Sequence, residues 1–222
     1  MKDFNQKIEK SRFFFILLGF IKFILRCFFK TLYRVKVYGN DRVPASGKLI
    51  LCSNHISYAD PVVIAAFFPR NIFFMAKIEI FSNWLFTSFL RYFNAFPVNR
   101  KGFGRQAIRH SLDILSHGEI VGIFPEGTRS TDGVIREGQK GIGLIAAMSK
   151  ADILPIAISG TNMIIQKPRK RLFFPEVKIM YGDVISTLQI ILNEDDRQAA
   201  DLIAERTMEE IKKLYLKING SG

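Results

Sequence analysis

Lys48-Leu49-Ile50-Leu51-Cys52-Ser53 runs directly into Asn54-His55-Ile56-Ser57-Tyr58-Ala59-Asp60-Pro61, and the handover from the first six residues to the next eight decides the fold. The run from Leu49 is short and almost wholly apolar, the pattern of a strand covered on both faces. Asp60-Pro61 has the character of a helix start, because Asp favours the N-cap and Pro fits the first helical position. A second strand-to-loop junction follows at Glu119-Ile120-Val121-Gly122-Ile123-Phe124, which stops at Pro125-Glu126-Gly127-Thr128-Arg129-Ser130. Outward from these two junctions, apolar runs at 34–38, 48–53, 71–76, 95–99, 119–124, 153–159 and 176–181 read as strands. Between and after them lie helical patterns at 61–68, 80–93, 105–117, 141–150 and 194–216. This alternation predicts an α/β fold with a mixed, mostly parallel sheet flanked by helices. In such sheets ligands bind in the crevice beyond the carboxyl ends of the strands, so neighbouring strands would open both junctions onto one crevice.

The last helix has well-marked ends. Asn193 is placed to cap it, Glu194, Asp195 and Asp196 suit its positive N-terminal dipole, and Lys212, Lys213 and Lys217 suit its C-terminus. The 80–93 segment carries Phe81, Trp84, Phe86, Phe89 and Phe93, as a core helix or an acyl-chain surface would.

The chain has 222 residues, 48% of them hydrophobic, which is enough for one sizeable core and rules out bulk disorder. Its net charge is +12, and residues 1–48 hold 11 Lys/Arg against 3 Asp/Glu, or +8 of that total. Charge concentrated beside an apolar stretch suits an anionic membrane surface better than a nucleic-acid groove, so no nucleic-acid partner is expected. Cys27 and Cys52 have no metal-ligand spacing, which predicts reduced thiols, no metal and a protein facing the cytosol.

Residues 13–29 form the apolar stretch, and Lys22, Arg26 and Lys30 fall on one helical stripe within and beside it. Burying Lys22 and Arg26 in a spanning helix costs about 2.5–3.5 kcal/mol each near the bilayer centre. The expectation is therefore an interfacial helix, apolar side in the bilayer and cations toward the headgroups. Internal charges and the lack of a small-residue cleavage site argue against a signal peptide. Residues 1–32 are thus expected to be a membrane-anchoring helical segment, and 33–222 a single α/β domain.

The chemistry sits at the two junctions. His55 and Asp60 are five residues apart, about 140° around a helix of 3.6 residues per turn, so they do not share a helix face. A turn over 55–59 can instead return the Asp60 carboxylate to one imidazole nitrogen, fixing the tautomer while the other nitrogen takes a proton. At the second junction Gly127 lets a backbone N–H approach an anion or developing oxyanion. Arg129 offers a fork that fits a phosphate monoester, Thr128 and Ser130 add donors, and Glu126 either orients an acceptor or pairs with Arg129. Together these groups activate an alcohol while holding a phosphate. His110 and His117 read as surface residues of one helix, and Lys167, Arg169, Lys170 and Arg171 as a solvated basic loop or a further contact with headgroups or a carrier protein.

These motifs resemble those of the lysophospholipid acyltransferase family. Its first block, Asn-His-x4-Asp, is matched at Asn54, His55 and Asp60, and its third, Phe-Pro-Glu-Gly-Thr-Arg-Ser, at 124–130 without departure. A second block is similar to Ala95-Phe96-Pro97-Val98-Asn99-Arg100, with Asn94 in place of the usual Gly and Asn99 in place of the usual acidic residue. A fourth is similar to Leu154-Pro155-Ile156, and Lys77 lies where the family commonly carries a Lys. The resemblance implies acyl transfer from a thioester of coenzyme A or acyl carrier protein to the free hydroxyl of lysophosphatidate, giving phosphatidate at the cytoplasmic face of a membrane. It implies His55 as general base oriented by Asp60, and Gly127 N–H or Lys77 at the oxyanion. Arg100 and Arg129 would hold the acceptor phosphate, with Glu126 and Thr128 beside it and no cofactor. Asn94 and Asn99 leave another lysolipid acceptor open, and the same fold without catalysis would be a membrane lipid-binding protein.

Overall fold

The computed structural model describes residues 12–77, 94–98, 104–164 and 174–220. Helix α1 (Arg12–Leu32) leads into β1 (Lys36–Tyr38) and β2 (Leu49–Ser53), followed by α2 (Asp60–Phe67), β3 (Ile72–Lys77) and β4 (Phe96–Val98). Then come α3 (Arg105–Ser116), β5 (Ile120–Ile123), α4 (Gly141–Ser149), β6 (Asp152–Ser159), β7 (Lys178–Tyr181), α5 (Thr187–Ile191) and α6 (Asp196–Gly220). All seven expected strands lie in one sheet of order β1-β7-β6-β2-β5-β3-β4. Neighbours are parallel except for β6 and β7, so the expected mixed, mostly parallel sheet is present.

The strands read as apolar runs because both sheet faces are covered. In β2, Leu49 and Leu51 join one core with Val63, Ile64 and Phe68 of the α2 region and Phe29 of α1. Ile50 and Cys52 point the other way, into a core with Ile114 of α3, Ile142 and Ile145 of α4, and Ile203 and Ile211 of α6. The two-residue period of a strand thus serves both layers at once. On the second face α4 and α6 approach so closely that a Cβ on Gly143 would lie 1.8 Å from the Ala200 carbonyl oxygen, which requires glycine there. Burial pushes the Cys52 thiol far above its ordinary range, so it is a core residue and no nucleophile.

Two details differ from the sequence expectation. The cap of α6 is Asp195 rather than Asn193: the Asp195 carboxylate accepts the Arg197 and Gln198 N–H groups at 3.0 and 2.9 Å. Asn193 instead donates to the Gln189 carbonyl at the end of the unforeseen α5. His110 is half-buried and meets the Phe96 ring edge-on with centroids 6.1 Å apart, whereas His117 is exposed.

The larger correction concerns α1. Lys22 Nζ donates to the Arg70 carbonyl at 2.9 Å and to Asn71 Oδ1 at 3.3 Å. Arg26 donates to the carbonyls of Ala66 and Phe68 at the end of α2. The physical reason is that the last carbonyls of a helix lack intrahelical donors and sit at the negative end of its dipole. Two of the three stripe cations therefore face the protein, and only Lys30 is exposed. Burial, reinforced by the adjacent Arg26, brings the Lys22 ammonium down to about 8. Phe20, Phe23, Ile24 and Phe28 are the exposed side of α1. Among the described residues no helix is long and apolar enough to cross a membrane. The aromatic 80–93 segment, Arg100 and the basic 167–171 run lie outside the described residues.

Candidate active site

β2 and β5 are adjacent and parallel, with Cys52 opposite Ile123, so both junctions leave the sheet side by side. The loop after β2 is fixed first by Asn54. Its side chain donates to the Ile158 carbonyl at 2.9 Å and accepts the Ile158 N–H at 2.8 Å, extending the β2–β6 ladder with an amide side chain. His55 follows, and its main chain is clamped by the second motif. Its N–H donates to Glu126 Oε1 at 3.0 Å, and its carbonyl accepts the Ser130 N–H at 2.7 Å.

The 55–59 turn then closes on Asp60, which is fully buried. Asp60 Oδ2 accepts the N–H groups of Ile56 and Ser57, each at 2.8 Å, and lies 2.8 Å from His55 Nδ1. A carboxylate oxygen already accepting two N–H groups meets Nδ1 as a further acceptor, so Nδ1 carries the hydrogen and Nε2 keeps its lone pair. Asp60 opens α2, with Pro61 beside it at the helix start. Its carboxylate, however, caps no α2 amide and turns back to the His55 loop. The imidazole face stacks on Phe124 at 4.1 Å between centroids, and Phe124 stacks in turn on Phe74 at 5.8 Å. Gly122 permits this, since a Cβ there would lie 2.5 Å from the Phe74 ring.

The second motif forms the other wall. Gly127 has φ +66°, the left-handed conformation that favours glycine, and the Gln139 side-chain amide packs against its open face. Arg129 lies over the Tyr58 ring with Cζ 3.5 Å from the centroid, a cation–π contact that holds the guanidinium beside the His55 loop. Tyr58 is 59% exposed, so this contact lies at the protein surface, open to a ligand. Thr128 is exposed beside it.

Several expected roles change. Glu126 does not pair with Arg129. It is buried, and its oxygens accept the His55 and Arg136 N–H groups at 3.0 and 3.1 Å, which makes it a brace between the His55 loop and the segment at Arg136. The Gly127 N–H, expected at the oxyanion, donates to the Phe124 carbonyl at 3.0 Å and closes the turn. The Ser130 hydroxyl donates to Asp132 at 2.8 Å, and that hydrogen bond helps hold the Asp132 carboxyl below its ordinary range. Lys77 ends β3 in register with Val98, so its backbone is one strand away from β5. Asn94 has φ +57°, the left-handed conformation that Gly favours and Asn tolerates, so this departure keeps the turn. Sequence reasoning assigned nothing to Tyr58, Phe124 or Thr161. The signal for Thr161 was its place just past the carboxyl end of a strand, which becomes informative once β6 lies beside β2.

Comparisons with known proteins agree with this geometry. Residues 34–159 match the family model described as Acyltransferase. The chain is 33% identical over 188 residues to a 1-acyl-sn-glycerol-3-phosphate acyltransferase of Bacillus subtilis, covering 83% of this chain and 90% of that protein. An enzyme of the same name from Streptococcus pneumoniae is 29% identical over 181 residues, covering 80% of this chain and 64% of its own length. The crystal structure of the 1-acyl-sn-glycerophosphate acyltransferase PlsC from Thermotoga maritima superposes with a TM-score of 0.70 at 25% identity, over 94% of this chain and 86% of that one. A histidine–aspartate pair held by a glycine turn, within a segment that matches one family model from before β1 to the end of β6, means that this chain belongs to the acyltransferase family.

Proposed function

We propose that the protein transfers a fatty acyl group from an acyl-thioester of coenzyme A or acyl carrier protein to the free hydroxyl of lysophosphatidate, giving phosphatidate. The observation that carries this reading is the proximity of two devices. His55 is set by Asp60 with Nε2 unengaged, and Arg129 is held by Tyr58, three residues along the same loop. His55 Nε2 takes the hydroxyl proton while Asp60 steadies the resulting imidazolium. The oxygen attacks the thioester carbonyl, a C–O bond forms, the C–S bond breaks, and the leaving thiolate takes the proton from the imidazolium. No acyl-enzyme is required, and Cys52 is too deeply buried to form one. In this reading Arg129 and Arg100 hold the acceptor phosphate with Thr128 beside it, and Lys77 is assigned to stabilise the oxyanion.

The same proposal assigns residues 1–32 to a membrane anchor at the cytoplasmic face and 33–222 to the acyltransferase domain. It is supported by the exposed Phe20, Phe23, Ile24 and Phe28 of α1, an apolar side that an interfacial helix would bury in lipid. A lipid acceptor and a lipid product suit such a placement.

The test is free-thiol release by detergent-solubilised protein given oleoyl-coenzyme A or an acyl carrier protein thioester. Release is expected to require lysophosphatidate. Release without acceptor would indicate a thioesterase, and no release with either donor would overturn the reading. Arg129→Ala is expected to raise the lysophosphatidate KM by about tenfold or more, since a hydrogen bond to a charged group contributes ~1.5–3 kcal/mol. The thioester KM should hardly change, and an equal rise in both constants would remove Arg129 from the phosphate.

A further inference from the structure

Asp60 has two oxygens, and the relay described above uses only one. Oδ2 serves His55, Ile56 and Ser57, while Oδ1 accepts the Thr161 hydroxyl at 2.5 Å. Thr161 is fully buried and comes from the strand on the other side of β2 from β5, at the start of the short turn that follows β6. Its position is built into the backbone. Gly160 has φ +85°, and a Cβ there would lie 2.1 Å from the Glu176 carbonyl oxygen, so the chain bends sharply out of β6 against the segment that precedes β7. The bend sets the Thr161 Oγ1 101 residues along the chain from the carboxylate it meets.

The geometry points to Thr161 as a positioning residue of the relay, the third member after His55 and Asp60. It acts through Asp60 and never on the substrate. A buried carboxylate whose two oxygens are both engaged cannot rotate about its Cβ–Cγ bond without breaking hydrogen bonds on both sides. That keeps Oδ2 aimed at Nδ1 through the cycle in which the imidazole gains and loses a proton. The hydroxyl also takes part of the carboxylate's negative charge. Without it, more charge faces Nδ1, the imidazole holds a proton more tightly, and less of it is free base at a given pH.

This inference rests on His55 being the base of the proposed acyl transfer. The test is therefore run on protein whose acceptor-dependent thiol release has been established. Absence of that activity in the parent overturns the proposed function and not this assignment. Thr161→Val keeps the shape and removes the donor. It is expected to lower kcat about 10- to 100-fold, the effect of one hydrogen bond to a charged group. Both KM values should stay near those of the parent, and the acid limb of the pH–rate profile should move to higher pH. Thr161→Ser should restore both kcat and the limb. Thr161→Cys, a weaker donor, should fall between them, which preserves the test if the valine variant does not fold. A valine variant with parental kcat and an unmoved limb would overturn the assignment. So would serine and cysteine variants indistinguishable from each other, which is the result expected if Thr161 only fills space.

Discussion

His55→Ala should abolish acceptor-dependent thiol release, with turnover falling about a thousand-fold or more, while the protein stays folded. The size follows from the role, since a positioned general base contributes about 10²–10⁴, and nothing else among the described residues is set to replace it. The retention of fold follows from how the loop is held. The His55 N–H and carbonyl are bound by Glu126 and Ser130 through the main chain, which alanine keeps. The side chain itself contributes mainly its stack on Phe124, worth about 1 kcal/mol. Steady-state kinetics beside a thermal melt checks both halves. Turnover near that of the parent would remove His55 from the mechanism, and a collapsed melt would show that the imidazole supports the loop.

Asp60→Ala should show the opposite balance and lose stability as well as turnover. Removing this carboxylate strips the acceptor from two buried N–H groups, the imidazole N–H and the Thr161 hydroxyl at a site with no exposure. Each buried donor left unmet costs about 1–3 kcal/mol, and partial relaxation brings the expected total to about 3–5 kcal/mol. Against a typical stability of about 5–15 kcal/mol that is a large fraction. Urea unfolding measures it directly. Asp60→Asn separates the two effects. Its carbonyl can take the place of Oδ2 and its amide can face a rotated Thr161 hydroxyl, so most stability should return while turnover stays low for want of the negative charge. An alanine variant as stable as the parent would mean that the carboxylate is not the hub of this loop.

The strands were legible because a parallel sheet covered on both faces leaves little else for its residues to be than apolar. The handover from Ser53 to Asn54, and from Ile123 to the glycine turn, likewise marked where the chain leaves the sheet. What sequence could not supply was the partner of each polar group. Glu126 and Arg129 stand three apart and invited pairing, yet one is buried on backbone N–H groups and the other rides on Tyr58. Thr161 meets Asp60 only because β6 neighbours β2, a non-local fact. The stripe of Lys22 and Arg26 was correctly read as one helix face. Periodicity says which residues share a face but not what the face meets, and here it meets carbonyls of α2 and of the segment just after it. Asn193 and Asp195 both suit an N-cap by type, and only the backbone decided between them.

That α2 is held at both ends by groups from elsewhere has a practical consequence. Its first residue is Asp60, the carboxylate hydrogen-bonded to His55, and its last carbonyls are closed by Arg26 of α1. A chain trimmed to begin after Leu32 would therefore not be the same protein less one helix. It would uncover those carbonyls, remove the Phe29 side chain from the core against which α2 packs, and loosen the support of Asp60 from behind. Solubility is better sought by replacing the exposed Phe20, Phe23 and Phe28 with polar residues and leaving Lys22, Arg26 and Phe29 in place.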